Sequence, residues 1–363
     1  MAASPRIPPP RVARAGEAVR EQVQRLHSRM APAPVALLEM IWGSLLSQAI
    51  HVAAKLGIAD VLADGPLTPE EIAQRVDASP DGIFRLLRAL AGRGVFAGRP
   101  DGRYELTPLA EPLRSDAPVS MRSVALLWGS PEHWEHWGHL HDSVRSGEPA
   151  VPAIRGLDFW AYLETNPDFA AQFNNAMTTF SNFAKAPVVA AYDFSRFSTI
   201  VDVGAGHGAL LAAILQRTPA ARGVLFDLPS VTSGATDVLR AHGVETRCTI
   251  ESGSFFDRVP AGGDAYVLKN IIHDWAESEA LTILRNVREA IKPDGRLLLI
   301  ELVLPEGNSG HLGNYMNLEM LLDLGGRERT EREYREFLSR AGFELTSVVQ
   351  TAAPVSVVES KPA

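Results

Sequence analysis

Hydrophobic positions along this chain change period part-way through. In the N-terminal half they recur at helical spacing, whereas beyond about residue 199 short aliphatic runs alternate with helical ones. From Leu37 to Leu62 (LLEMIWGSLLSQAIHVAAKLGIADVL) the apolar positions run nearly all round a helix, which needs burial on more than one side and points to a dimer interface as much as to an internal core. Leu67 to Leu113 has a different pattern. Thr68 and Glu71 form a capping box, and Ser79-Pro80 opens a second helix, Asp81 to Ala91, with Ile83, Leu86, Leu87 and Leu90 on one face. Gly94 ends that helix, and Val95-Phe96 and Tyr104-Glu105-Leu106 flank an Arg-Pro-Asp-Gly turn. This is a winged helix-turn-helix pattern. DNA binding and a structural, dimerising module are both open readings. The balanced charge of the stretch, with Arg85, Arg88 and Arg93 only scattered, favours the second.

The strand pattern begins at Ile200-Val201-Asp202-Val203, followed by Gly204, Gly206 and Gly208 and then a helical run, Ala209 to Leu215. Further strands are expected at Gly223–Asp227, Arg247–Glu251, Ala265–Lys269 and Arg296–Leu304, with helices between, which specifies a doubly wound α/β sheet. A last pair, Glu344–Gln350 and Val355–Glu359, is expected to run antiparallel at the sheet edge.

At 363 residues with 46% hydrophobic content, the chain can bury a large core in about two domains. A net charge of −8 gives no general attraction to nucleic acid, and no run of membrane-spanning length is evident. The single cysteine, Cys248, excludes an internal disulfide framework and fits a reducing, cytoplasmic setting. The proline- and arginine-rich N-terminus has no apolar segment of a signal peptide, and residues 1–30 are expected to be a disordered leader.

Strand, glycine turn and helix together let backbone approach a ligand at a helix N-terminus. Asp227 ends the next strand about 20 residues on, where a carboxylate accepts ribose hydroxyls. The loop lacks the G-x-G-x-x-G spacing that seats a pyrophosphate, and Asp202 just before it suits an ammonium group better than a phosphate. His273 lies beyond the C-terminal end of the Ala265–Lys269 strand, on the ligand side of such a sheet, and is a candidate general base. Asp274, three residues before Glu277, reads as the N-cap of the next helix. Among His133, His136, His139 and His141 a metal site is the sharper reading, but the spacing fits no ligand signature. An aromatic helix carrying Trp134 and Trp137 against a pocket or core is preferred. Phe169 to Phe183, with Phe173, Met177 and Phe180, reads by itself as a core stripe.

IVDVGAGHG, FDLP, GSFFD, DAYVLKNIIHDW, GRLLLIE and GGRERTEREY occur in the order found in the plant-type small-molecule O-methyltransferases, which use S-adenosylmethionine (SAM). The chain resembles that family from about Leu37 to its C-terminus. The resemblance implies a Rossmann-like SAM-binding sheet over 191–363, a mostly helical winged-helix dimerisation domain over 31–115, and a helical linker over 116–190 that adds to the substrate pocket. It implies that the Asp202, Gly204 and Gly206 loop holds the amino-acid end of SAM, that Asp227 takes the ribose, and that Ser254 and Phe255 flank the adenine. Lys269 would reach the SAM carboxylate or nearby polar groups, His273 would act as general base oriented by Glu301 and Glu328, and Met177, Asn270, Trp275 and Met320 would line the acceptor pocket. Two positions depart from the family's pattern: Ser254 and Asn317 both stand where aspartate is common. The implied function is methylation of a hydroxyl on an aromatic or polyketide-like molecule by a homodimer, with no metal, nucleic acid or membrane. Methylation of nitrogen or carbon, a non-methylating SAM-binding relative, and a DNA-binding regulator are the alternatives.

Overall fold

The computed structural model describes residues 8–307 and 309–363. Residues 1–7 of the expected leader lie outside these, but the rest of it is not disordered, because Pro10–Met30 is a helix. The prolines cluster ahead of the first turn, where a missing N–H does no harm, and Val12, Val19, Val23, Leu26 and Met30 then recur at heptad-like spacing, all exposed. The apolar segment that follows is also not one helix. It divides into Ala33–Ile41, Gly43–Lys55 and the short Ile58–Val61, with Gly57 in the left-handed region (φ 67°) at the last break. By length and composition alone Ala33–Lys55 could cross a membrane, which corrects the expectation that no such run exists. Leu37, Met40, Ile41, Trp42 and Leu45 on it are exposed.

The capping-box helix is Pro69–Val76, with Thr68 Oγ1 accepting from the Glu71 N–H, and the second helix is Pro80–Ala91, capped by Ser79. Its buried face, Ile83, Leu87 and Leu90, packs with Ile58, Ile72 and Phe96. The wing is the antiparallel pair β1 (Phe96–Gly98) and β2 (Tyr104–Leu106). These elements belong to a compact unit of residues 22–139 and 160–180. Residues 8–21, 140–159 and 181–363 form the other unit, so the 116–190 segment is shared between the two.

The second unit is built on one sheet. Its strands are β3 (Thr199–Val203), β4 (Arg222–Asp227), β5 (Cys248–Ser252), β6 (Ala265–Lys269), β7 (Arg296–Leu304), the two-residue β8 (Arg329–Thr330), β9 (Phe343–Gln350) and β10 (Val355–Pro362). The order is β5-β4-β3-β6-β7-β10-β9, with β8 beside β7. β3 to β7 are mutually parallel, and β10 and β9 continue the sheet antiparallel. Alternation along each strand divides the core into two layers. Ile200, Leu225, Val267, Leu298 and Ile300 pack on one face with Leu211 and Ile214. Val201, Phe226, Leu268, Leu297 and Leu299 pack on the other with Leu284, Tyr334 and Phe337.

Strand order reverses at β3: the chain steps outward through β4 and β5 on one side and then returns to place β6 on the other, all of them parallel. Such a switch point opens a crevice at the carboxyl ends of the strands. Asp202 pairs with Val267 across it, so the Gly204 loop and the Lys269–Ile271 segment leave the sheet side by side.

Candidate active site

Gly204 shows how tightly these two segments meet. It has φ 68°, and a Cβ on it would stand 2.4 Å from Ile271 Cδ1, so only glycine fits there. Asp227, at the end of β4, accepts from the Gly206 N–H at 2.7 Å and from the Leu228 N–H at 2.7 Å, which fixes its carboxylate over the loop. Burial pushes its pKa up, against those hydrogen bonds. Asp202 is 2% exposed, and its Oδ2 has no hydrogen-bond partner among the described residues. Desolvation pushes its pKa up to about 7, with nearby Lys269 opposing. Burial lowers the Lys269 pKa in turn, against the attraction of Asp202, Glu301 and Asp274. A buried carboxylate with one oxygen left without a hydrogen-bond partner, beside a glycine turn, is a place for a cationic ligand group.

The second cluster centres on His273, in a 3₁₀ turn, Ile272–Asp274, directly after β6. His273 Nδ1 stands 2.7 Å from Glu328 Oε1 and 3.6 Å from Glu301 Oε2, and both glutamate side chains are 0% exposed. Glu301 projects from β7, and its Oε1 accepts the N–H groups of Ile271 (3.2 Å) and Ile272 (3.0 Å), tying the turn to the sheet. Burial raises the Glu301 pKa, with the imidazole opposing. Burial alone would lower that of His273, but the carboxylates of Glu301, Glu328 and Asp274 outweigh it and hold the imidazole well above 6.5. The structure thus brings all three expected residues together. Their ligand atoms lie within 4.8 Å of one another, a spacing that a cation could use. The short Glu328 contact instead commits Nδ1 as a donor, since a carboxylate only accepts.

Asp274 does not cap the next helix, contrary to expectation. That helix is Glu277–Ala290, its N-cap is Ala276, and no side chain caps it. Asp274 turns to His273 instead, its Oδ1 lying 3.3 Å from Nε2. Tertiary electrostatics override local capping chemistry here, and Glu277 and Glu279 in the first turn complement the helix dipole without it.

Phe255 lies near the glycine loop, 3.8 Å from where a Gly204 Cβ would be, and packs edge-on to Phe256 and Trp275. Trp275 meets Phe256 at 4.7 Å and 90°, so it stands in the aromatic group with Phe255. Ser254 Oγ accepts from the Phe256 N–H, forming a turn. Asn270 has φ 52°, a left-handed conformation that asparagine tolerates, and its buried Oδ1 has no hydrogen-bond partner among the described residues. Met320 is buried in a π-helical turn, Met320–Leu324. Met177 is half-buried on the helix Pro167–Ala191, in the other unit. In that unit His133 is buried, with Nδ1 3.2 Å from the Trp128 carbonyl and Nε2 accepting from Trp137 Nε1, so both ring nitrogens are engaged within the aromatic helix region.

Four further residues shape the site. Asn317 Oδ1 accepts from the Glu328 N–H at 2.9 Å. Arg329 is 2% exposed, with its guanidinium 4.1 Å over the Phe337 ring. Gly326 brings its loop onto the backbone of His273, and the Arg327 N–H donates to the His273 carbonyl at 2.9 Å. The GGRERT segment carries the family resemblance, but its glycines have no role assigned from the sequence.

Residues 137–344 match the family model of the O-methyltransferase domain, and residues 38–116 match that of the O-methyltransferase dimerisation domain. The chain is 42% identical over 331 residues to phenazine O-methyltransferase PhzM of Lysobacter antibioticus, covering 91% of this chain and 97% of that protein. It is 33% identical over 316 residues to 8-amino-8-demethylriboflavin N,N-dimethyltransferase of Streptomyces davaonensis, covering 86% and 90%. Among solved structures, an SAH-bound methyltransferase of calicheamicin biosynthesis superposes with a TM-score of 0.82 at 34% identity, covering 91% of this chain and 98% of that one.

Proposed function

The chain belongs to the SAM-dependent O-methyltransferase family, and we propose that it methylates a hydroxyl of an aromatic small molecule, with His273 as the general base. The observation that carries this reading is the 2.7 Å contact of His273 Nδ1 with Glu328. A proton fixed on Nδ1 leaves Nε2 as the nitrogen that accepts. A phenol of pKa about 10 is mostly protonated at neutral pH, so a positioned base raises the fraction of the better nucleophile, phenoxide. Glu328 and Glu301 orient the ring and stabilise the imidazolium once it forms.

SAM, when bound, supplies an electrophilic methyl group on a sulfonium. The residues fit it. Asp202, with a buried unpartnered oxygen, suits the ammonium, Gly204 admits the chain of the ligand, and Asp227 faces the ribose. Phe255 and Ser254 flank the adenine, and Trp275 packs edge-on against Phe255. Lys269 reaches the carboxylate or the polar groups beside it, and Asn270, Trp275 and Met320 line the acceptor side. The exposed apolar residues of Pro10–Met30 and Ala33–Lys55 are covered by a second copy in a homodimer, and the enzyme works in the cytoplasm.

N-methylation is the second reading, because the riboflavin-type relative carries that activity in its name. Calorimetry with SAM and SAH, followed by labelled methyl transfer to matched panels of phenols and anilines, decides between the two. Transfer to phenols is expected. Transfer to anilines alone would replace the O-methyl reading, and failure to bind either cofactor form would remove both.

A further inference from the structure

Each turnover leaves one proton on His273, and the structure restricts where that proton can go. The His273 side chain is 8% exposed. The two glutamates at its Nδ1 side are sealed from solvent, both at 0%, while Asp274, at its Nε2 side, is 15% exposed. Asp274 Oδ1 lies 3.3 Å from Nε2, at ion-pair distance but without the alignment of a hydrogen bond. Nε2 is therefore open to an acceptor hydroxyl while a second base stands beside it.

We propose that Asp274 is the proton exit of the site, acting through His273 and resting on the function proposed above. The acceptor O–H bond breaks, its proton goes to Nε2, and the oxygen keeps the electron pair with which it takes the methyl group. The proton then passes from Nε2 to Asp274 Oδ1 and from there to water, which restores the neutral imidazole. The other charged groups that act on Asp274 are Glu301 on β7, Glu328 after the π turn and Lys269 on β6. Burial and the two glutamates push its pKa up to about 7, against His273 and Lys269, and a carboxyl group titrating there both accepts and releases a proton at neutral pH.

The decisive experiment needs no acceptor. In full-length protein labelled with ¹⁵N-histidine, exchange of the His273 Nε2 proton with solvent is followed by NMR. Asp274→Asn, which keeps shape but cannot carry the proton, is expected to slow exchange about tenfold or more. Asp274→Ser is expected to slow it likewise, with formate restoring the rate. Exchange in D274N as fast as in the wild type would overturn the proposal. With a phenol that the wild type methylates, D274N should lose steady-state turnover by a larger factor than it loses the single-turnover rate. An equal loss in both, unrelieved by formate, would also overturn it. His273→Ala, by contrast, should lose the single-turnover rate itself, so failure of the exit and failure of the general-base reading give different results.

Discussion

Gly326 lies against the main chain of His273 so closely that a Cβ on it would stand 1.9 Å from the His273 carbonyl oxygen. The loop carrying Glu328 is thus held at the turn carrying the imidazole by backbone contact, and the Arg327 N–H closes it with a 2.9 Å hydrogen bond to the same oxygen. Gly326→Ala must push the two segments apart. Overpacking of this kind costs about 1–3 kcal/mol. Denaturant unfolding should show a loss of that order, and methyl transfer should fall further than stability does, because the Nδ1–Glu328 contact opens. An unchanged rate in G326A would show that this contact is not needed.

Charge at the imidazole sets the pH dependence. The carboxylates of Glu301, Glu328 and Asp274 hold the His273 pKa well above 6.5, so the acid limb of kcat/KM should lie above that value. Glu328→Gln removes one of the anions that favour the imidazolium, and the limb should move to lower pH as the maximal rate falls. A limb that stays in place in E328Q would separate it from His273.

The same shifts act on stability. His273, Asp202 and Asp274 all have folded-state pKa values above their ordinary ones. Their contribution is therefore fully present below the unfolded values and is lost as pH rises through the folded ones, about 7 for the two aspartates. Calorimetric Tm of the cofactor-free protein should fall between about pH 5 and pH 8 for this reason, and Asp202→Asn should flatten the fall.

Cofactor binding should run the other way with pH. An ammonium group near Asp202 favours the ionised carboxylate, so binding expels a proton below about pH 7 and affinity rises with pH up to there. Calorimetry in buffers of different ionisation enthalpy should show proton release with the wild type and less of it with D202N.

Trp42 and Leu45 are 53% and 61% exposed on the Ala33–Lys55 segment. Burying a large apolar side chain contributes about 1.5–3 kcal/mol. Trp42→Glu combined with Leu45→Glu should therefore convert the dimer to monomer in sedimentation velocity at micromolar concentration, with helix content unchanged.

Residue pattern made the central sheet legible, because its strands are short, aliphatic and buried on both faces. Ala265–Lys269 and Arg296–Leu304 have the same bounds in sequence and structure. The winged pair was equally readable from caps and turn residues. Asp274 misled because D-x-x-E is a capping pattern wherever it falls, and only the fold places three carboxylates around one ring. Gly326 and Asn317 act through backbone groups of residues distant in sequence, which no periodicity encodes. The leader's prolines suggested disorder, but they stop where the heptad-like run of valines and leucines begins.

The most direct test of the account is His273→Ala, assayed beside the wild type for SAM affinity and for labelled methyl transfer to a phenol. SAM affinity should stay within a few-fold, since the groups assigned to the cofactor are elsewhere, and methyl transfer should fall about 10²–10⁴-fold, the usual contribution of a positioned base. Transfer at the wild-type rate by H273A would contradict the assignment of the base and the proton path built on it.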